Sequence, residues 1–137
     1  MLKITALLLL ASSLQTASGR EMKMIEGRAH VVDGDTVVVG GVRVRLKGVD
    51  ASELGTMRGE AARRVMEKIV GQTLACDLTG EKTWKREVGF CFNDEGQDIG
   101  EEIVKSGAAL ACPRYSRRYL KFERSEALEA QTRARYC

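Results

Sequence analysis

Between Met24 and Val49 three β-branched runs are separated by Asp33-Gly34-Asp35-Thr36 and by Gly40-Gly41. Asp-Gly and Gly-Gly in such places are strong short-range hairpin signals, because the glycines reach backbone conformations that tight turns require. The spacing predicts strands over Met24–Val32, Val37–Val39 and Val42–Val49. In Val42-Arg43-Val44-Arg45-Leu46-Lys47 the apolar residues face one way and the basic residues the other. That period of two marks a half-buried strand with a cationic outer face.

A helix is predicted over Arg58–Val70, where Ala61, Val65 and Ile69 recur every fourth residue and Gly71 supplies the stop. Thr73–Leu78 and Val88–Phe92 read as strands joined by a polar loop, Thr79–Glu87. Asp98-Ile99-Gly100-Glu101 is a capping box that opens a short helix ending at Gly107. A last helix is expected over Arg117–Arg133, with Tyr119, Phe122, Ala127 and Ala130 on its inner side. Five strands with a helix inserted after the third suggest a small closed barrel with helices packed on one end.

Residues Met1–Gly19 are set aside as a signal peptide. Lys3 is a short positive start, Ile4–Ala11 is an apolar core, and Ala17-Ser18-Gly19 offers small residues at a cleavage site. No stretch reaches the roughly 20 apolar residues that a membrane-spanning helix needs. The expected mature chain, Arg20–Cys137, is one soluble domain, secreted or periplasmic, and a monomer. The 44% hydrophobic and 30% charged composition is globular, and a single Pro with 14 Gly excludes collagen and Pro-rich linkers. A net charge of +3 excludes a histone-like polycation while permitting a nucleic-acid partner.

All four cysteines, Cys76, Cys91, Cys112 and Cys137, fall in the mature part. An even count in a small exported domain suggests two disulfides, and three connectivities are open. A zinc site is the poorer reading, because no two cysteines show C-x2-C spacing and the only histidine, His30, is remote in sequence. Cys76 and Cys91 lie on successive predicted strands, which favours Cys76–Cys91 with Cys112–Cys137.

Two acidic motifs flank the basic strand: Asp33-Gly34-Asp35-Thr36 and Asp50-Ala51-Ser52-Glu53. If both lie at the same end of adjacent strands, Asp35 and Asp50 converge on one hard cation, and carboxylates completed by a carbonyl and water suit calcium. Glu53 and Arg45 would stand close by, giving the parts of phosphoryl-transfer chemistry. The same residues also suit ordinary turn and helix-cap chemistry.

The run from Asp33 to Glu53 resembles the first signature of the thermonuclease, or staphylococcal-nuclease-like, family: Asp-Gly-Asp-Thr, an apolar strand, Arg-Leu, then Asp-x-Pro-Glu. Trp84-Lys85-Arg86-Glu87-Val88-Gly89 resembles its second signature, aromatic-x-Arg-x-Val-Gly. Ser52 stands where the family has proline, and Lys85 where it usually has glycine. The resemblance extends through Gly96–Gly107 and Ser125-Glu126-Ala127, covering nearly all of the mature chain. It implies a five-stranded OB-fold barrel with three α-helices. It further implies a calcium site from Asp35, Asp50 and the carbonyl of Ala51, with Arg45, Glu53 and Arg86 as the catalytic set. Similar enzymes cleave DNA and RNA phosphodiesters, leaving a 3′-phosphate and a 5′-hydroxyl.

Trp84 and Tyr115 are candidates to stack on a substrate base, or loop aromatics covering the barrel end. Arg114, Arg117, Arg118, Lys121 and Arg124 could track a phosphate backbone, although Glu123, Glu126 and Glu129 in the same stretch favour a solvated face. The expectation is an exported, calcium-dependent, sugar-non-specific nuclease. The alternatives are a non-catalytic OB-fold nucleic-acid-binding module and a structural exported domain. Every charged member of the presumed site is present, which favours the enzyme.

Overall fold

The structure is a computed structural model that describes Met22–Cys137. The predicted signal peptide, Met1–Gly19, lies outside the described residues. Among the described residues seven strands and three α-helices form. Their order is β1 (Lys23–Val31), β2 (Thr36–Val39), β3 (Val42–Leu46), β4 (Val49–Asp50), α1 (Met57–Val70), β5 (Thr73–Thr83), β6 (Arg86–Phe92), α2 (Ile99–Ser106), β7 (Leu110–Ala111) and α3 (Ser125–Ala130), with a 3-10 turn at Leu120–Phe122 before α3. Five strands close a barrel in the order β1-β2-β3-β6-β5. Every barrel pairing is antiparallel except β3 with β6, which is parallel and aligns Arg45 with Val88. This is the OB-type α+β barrel with three helices that the sequence suggests.

The valine runs explain the barrel interior. Val37, Val39, Val44 and Leu46 turn inward from β2 and β3 and meet Leu74, Cys76, Leu78 and Cys91 from β5 and β6, all buried. Met66 and Val70 of α1 and Ile99, Ile103 and Val104 of α2 close the core. Both α1 and α2 start on a side-chain cap: Thr56 accepts the Gly59 N–H of α1, and Asp98 accepts the N–H groups of Gly100 and Glu101 in α2. Among the described residues, no helix is long and apolar enough to cross a membrane.

Cys76 and Cys91 sit directly opposite on β5 and β6 and are bonded, and Cys112 is bonded to Cys137. The first bridge lies in the barrel wall, and the second ties the C-terminal segment to the residues that follow β7.

Three segments differ from the sequence reading. Val42–Val49 is not one strand: it breaks at Lys47-Gly48, where Gly48 takes φ 82 and its carbonyl accepts the Cys112 N–H. The chain thereby leaves the barrel, and β4 pairs with β7 instead. Thr79–Glu87 is not a loop; β5 and β6 continue through it and turn over only Trp84-Lys85, both with positive φ (44 and 61). The long last helix is replaced by the 3-10 turn and the six-residue α3. Helical periodicity there is overridden at Glu123 and Arg124, whose ψ values of 135 and 138 are extended. Glu123 is drawn out of helix by its carboxylate, which accepts the Ala111 N–H and receives both arms of the Arg133 guanidinium.

Candidate active site

The barrel register brings the candidate residues to one place. Thr36 pairs with Arg45 across β2–β3, Arg45 is aligned with Val88 on β6, and Arg86 begins β6 two residues earlier. Asp35, immediately before β2, therefore lies beside the arginines. Its Oδ2 is 3.3 Å from Arg45 Nη2 and accepts the Ala51 N–H at 3.2 Å, while its Oδ1 accepts the Thr36 hydroxyl at 3.2 Å. Arg86 Nη1 donates to Thr36 Oγ1 at 3.1 Å, so Thr36 links the second arginine to the same carboxylate. Arg45 Nη1 is anchored on the Leu46 carbonyl at 2.7 Å, which fixes the fork's direction.

Backbone geometry holds Asp35 in place. Asp33 Oδ1 accepts the Asp35 N–H at 3.0 Å, the turn geometry expected of an Asp-Gly-Asp sequence. A Cβ on Gly34 would stand 2.6 Å from Ala51 Cβ and 2.9 Å from Ala62 Cβ, so only glycine lets this turn pack against Ala51 and α1. Burial pushes the Asp35 carboxyl up to about 7 against the opposing pull of Arg45 and the Ala51 N–H.

Asp50 is also buried, and its Oδ2 accepts the Ala134 N–H at 2.7 Å. Asp50, Ala51, Ser52 and Glu53 line a cleft of about 610 Å³, together with the start of α1 and Gln131, Thr132, Ala134 and Tyr136 of the C-terminal segment. Glu53 is exposed on that cleft. Its carbonyl accepts the Thr56 hydroxyl at 2.7 Å, and a Cβ on Gly59 would fall 1.8 Å from the same carbonyl. The glycine and the threonine thus fix the turn that presents Glu53, where Ser52 leaves φ free.

An oxygen-only set of two buried carboxylates suits a hard cation. The fit to calcium is a matter of donor chemistry: Asp35 and Asp50 are both buried, and the Ala51 N–H on Asp35 Oδ2 at 3.2 Å brings their segments together. Among the described residues no three His, Cys, Asp or Glu side chains cluster as a metal cage, so any remaining ligands would be backbone, water or substrate oxygens.

The arrangement joins Asp35, Arg45 and Arg86 in one hydrogen-bonded unit, with Asp50, Ala51 and Glu53 on the adjoining cleft. It does not bring Trp84 or Tyr115 to the cleft lining. Trp84 is 91% exposed at the β5–β6 turn and Tyr115 is 51% exposed after Cys112. Arg118 is not part of a free basic face: its guanidinium pairs with Asp98 at 3.1 Å and lies 4.4 Å from the Phe90 ring centroid. Sequence reasoning missed Thr36, Ala134 and Tyr136 as parts of the site. Thr36 closes the Asp-Gly-Asp-Thr motif, and Cys137 was the one signal that the C-terminal segment returns to the barrel.

The closed five-stranded barrel thus gathers carboxylates and forked arginines at one rim. Residues 43–136 match the family described as Staphylococcal nuclease homologue, and the chain belongs to that family. The succinoglycan biosynthesis protein ExoI of Rhizobium meliloti (strain 1021) is 32% identical over 113 residues, covering 74% of this chain and 59% of that protein. The chain therefore spans about three-fifths of that relative's length.

Proposed function

We propose that the chain is an exported nuclease that uses calcium to hydrolyse phosphodiester bonds of DNA and RNA with little sugar specificity. The observation that carries this reading is the hydrogen-bonded unit of Asp35, Thr36, Arg45 and Arg86 beside a cleft that holds Asp50 and Glu53. Arg45 and Arg86 offer forked donors to the non-bridging oxygens of a phosphodiester and stabilise the charge that grows there. Glu53, exposed at the cleft, accepts a proton from the attacking water. The water oxygen bonds to phosphorus, the bond to the 5′ oxygen breaks, and that oxygen leaves as a hydroxyl after taking a proton from solvent. Calcium, when bound by Asp35, Asp50 and the Ala51 carbonyl, supplies positive charge for the same phosphate.

Export is supported by two disulfides, which persist in oxidising compartments. Intact mass of the exported protein should begin at Arg20, and retention of Met1 would overturn that part.

A nucleic-acid-binding module without catalysis is the second reading. It is favoured by one observation: Asp50 and Asp35 already spend carboxylate oxygens on Ala134, Ala51 and Arg45. Plasmid DNA and RNA incubated with purified protein separate the two. Cleavage in calcium that stops in chelator and recovers poorly with magnesium supports the nuclease; binding with no cleavage under any condition supports the module.

A further inference from the structure

The C-terminal segment crosses the cleft and is fastened there on either side of Tyr136. Ala134 donates its N–H to Asp50 at 2.7 Å, and Arg133 spreads both guanidinium arms over Glu123 at 2.8 Å. Beyond Tyr136, Cys137 is bonded to Cys112, and its carbonyl accepts the Arg114 N–H at 3.0 Å. Residues fastened this closely leave Tyr136 little freedom of position.

Tyr136 does not serve the core. It is 49% exposed and lines the cleft beside Asp50 and Glu53. Its phenol interacts with Arg45 and lies in the field of Asp50 and Asp35. A tyrosine hydroxyl can both donate and accept a hydrogen bond, so contact with Arg45 leaves it a proton to give. An exposed ring with a proton to give, beside an arginine and pinned at both ends, fits a bound anionic ligand better than a packing role.

We propose that Tyr136 is a substrate-contacting residue of the cleft, its hydroxyl donating to a phosphate oxygen of the nucleic-acid strand that Arg45 engages. The proposal rests on the nucleic-acid reading of the site. The ring's open face is available for a neighbouring base, a contact that tolerates any sequence.

The test measures affinity for a fluorescent single-stranded oligonucleotide by anisotropy in chelator, so that nothing is cleaved, and kcat and KM in calcium. Wild type, Tyr136→Phe and Tyr136→Ala are compared, with melting temperature as the control for folding. Loss of one hydrogen bond to a charged oxygen should weaken binding by Tyr136→Phe about tenfold. Tyr136→Ala should weaken it further by removing the stacking face, and KM should rise more than kcat falls. A purely structural tyrosine would behave differently: Phe would bind as wild type, and Ala would lose affinity only in step with its melting temperature. That result overturns the proposal, as does wild-type affinity in both variants. Wild-type protein that neither binds nor cleaves the oligonucleotide overturns the nucleic-acid reading itself, which is a separate result.

Discussion

Glu53 can be replaced without opening a cavity, whereas Arg45, its side chain 14% exposed, is the cation paired with buried Asp35. Arg45 and Arg86 bond to Asp35 and Thr36 at the barrel rim, and Glu53 is exposed on the cleft. Glu53→Gln, Arg45→Ala and Arg86→Ala should each lower kcat roughly 10²–10³-fold, the usual cost of one contact to transition-state charge. Circular dichroism of Glu53→Gln should stay as in wild type, and undiminished cleavage by that folded protein would sink the mechanism. Arg118 belongs to a different class. It stacks on Phe90 and pairs with Asp98, which also accepts the Tyr119 hydroxyl at 2.8 Å. Arg118→Ala should therefore cost about 1 kcal/mol of stability, measured by denaturant unfolding, with nucleic-acid affinity unchanged. In sequence this arginine is one of five basic residues of similar look. Only the fold distinguishes it, by placing Phe90 and Asp98 beneath it.

Elements with a single local cause are legible in the amino-acid sequence. The Gly40-Gly41 turn, the Asp98 cap and the Gly107 stop each act within a few residues, and β2–β3 and α2 form where those signals stand. Elements decided by distant partners are not. Lys47-Gly48 breaks a run of strand-like residues because Gly48 must meet Cys112, and Glu123 breaks a helical pattern because it must meet Ala111 and Arg133. The same division holds at the site: the motif residues are readable, but Tyr136 depends on a tether made far away in sequence. The β5–β6 turn is a third case, since neither Trp84 nor Lys85 is a turn-forming residue, yet the two-residue turn needs positive φ at both positions. A side chain in that conformation is strained by about 1–2 kcal/mol, and glycine returns part of the gain as unfolded-state entropy. Lys85→Gly should thus stabilise the protein by about 0.5–1 kcal/mol in denaturant unfolding. A loss of stability would show that the lysine makes a compensating contact.

At the scale of the whole molecule, the C-terminal segment is held by the Cys112–Cys137 bond, by Ala134 on Asp50 and by the Glu123–Arg133 pair. Burial pushes the Glu123 carboxyl up, but the Arg133 fork and the Ala111 N–H outweigh it and hold the group below the ordinary glutamate value of 4.5. A depressed value means that the folded state favours the ionised form, so this stabilisation is complete above pH 4.5 and fades as pH falls through the depressed value. Acid titration of stability should show a limb below pH 4.5 that flattens in Glu123→Gln. An unchanged limb would place the acid sensitivity elsewhere.

The parallel seam between β3 and β6 joins strands that are separated by α1 and β5. Arg45 and Arg86 come from the two sides of that seam, so neither hairpin alone contains both guanidinium groups. The pair of guanidinium groups proposed to bind phosphate exists only in a chain whose barrel has closed. Under the proposed nuclease reading, cleavage is therefore a reporter of the final long-range pairing, whereas helical signal reports only local segments. In refolding, cleavage should return no earlier than the closed barrel does, and a mutation that loosens the seam should abolish cleavage while leaving α1 and α2 helical.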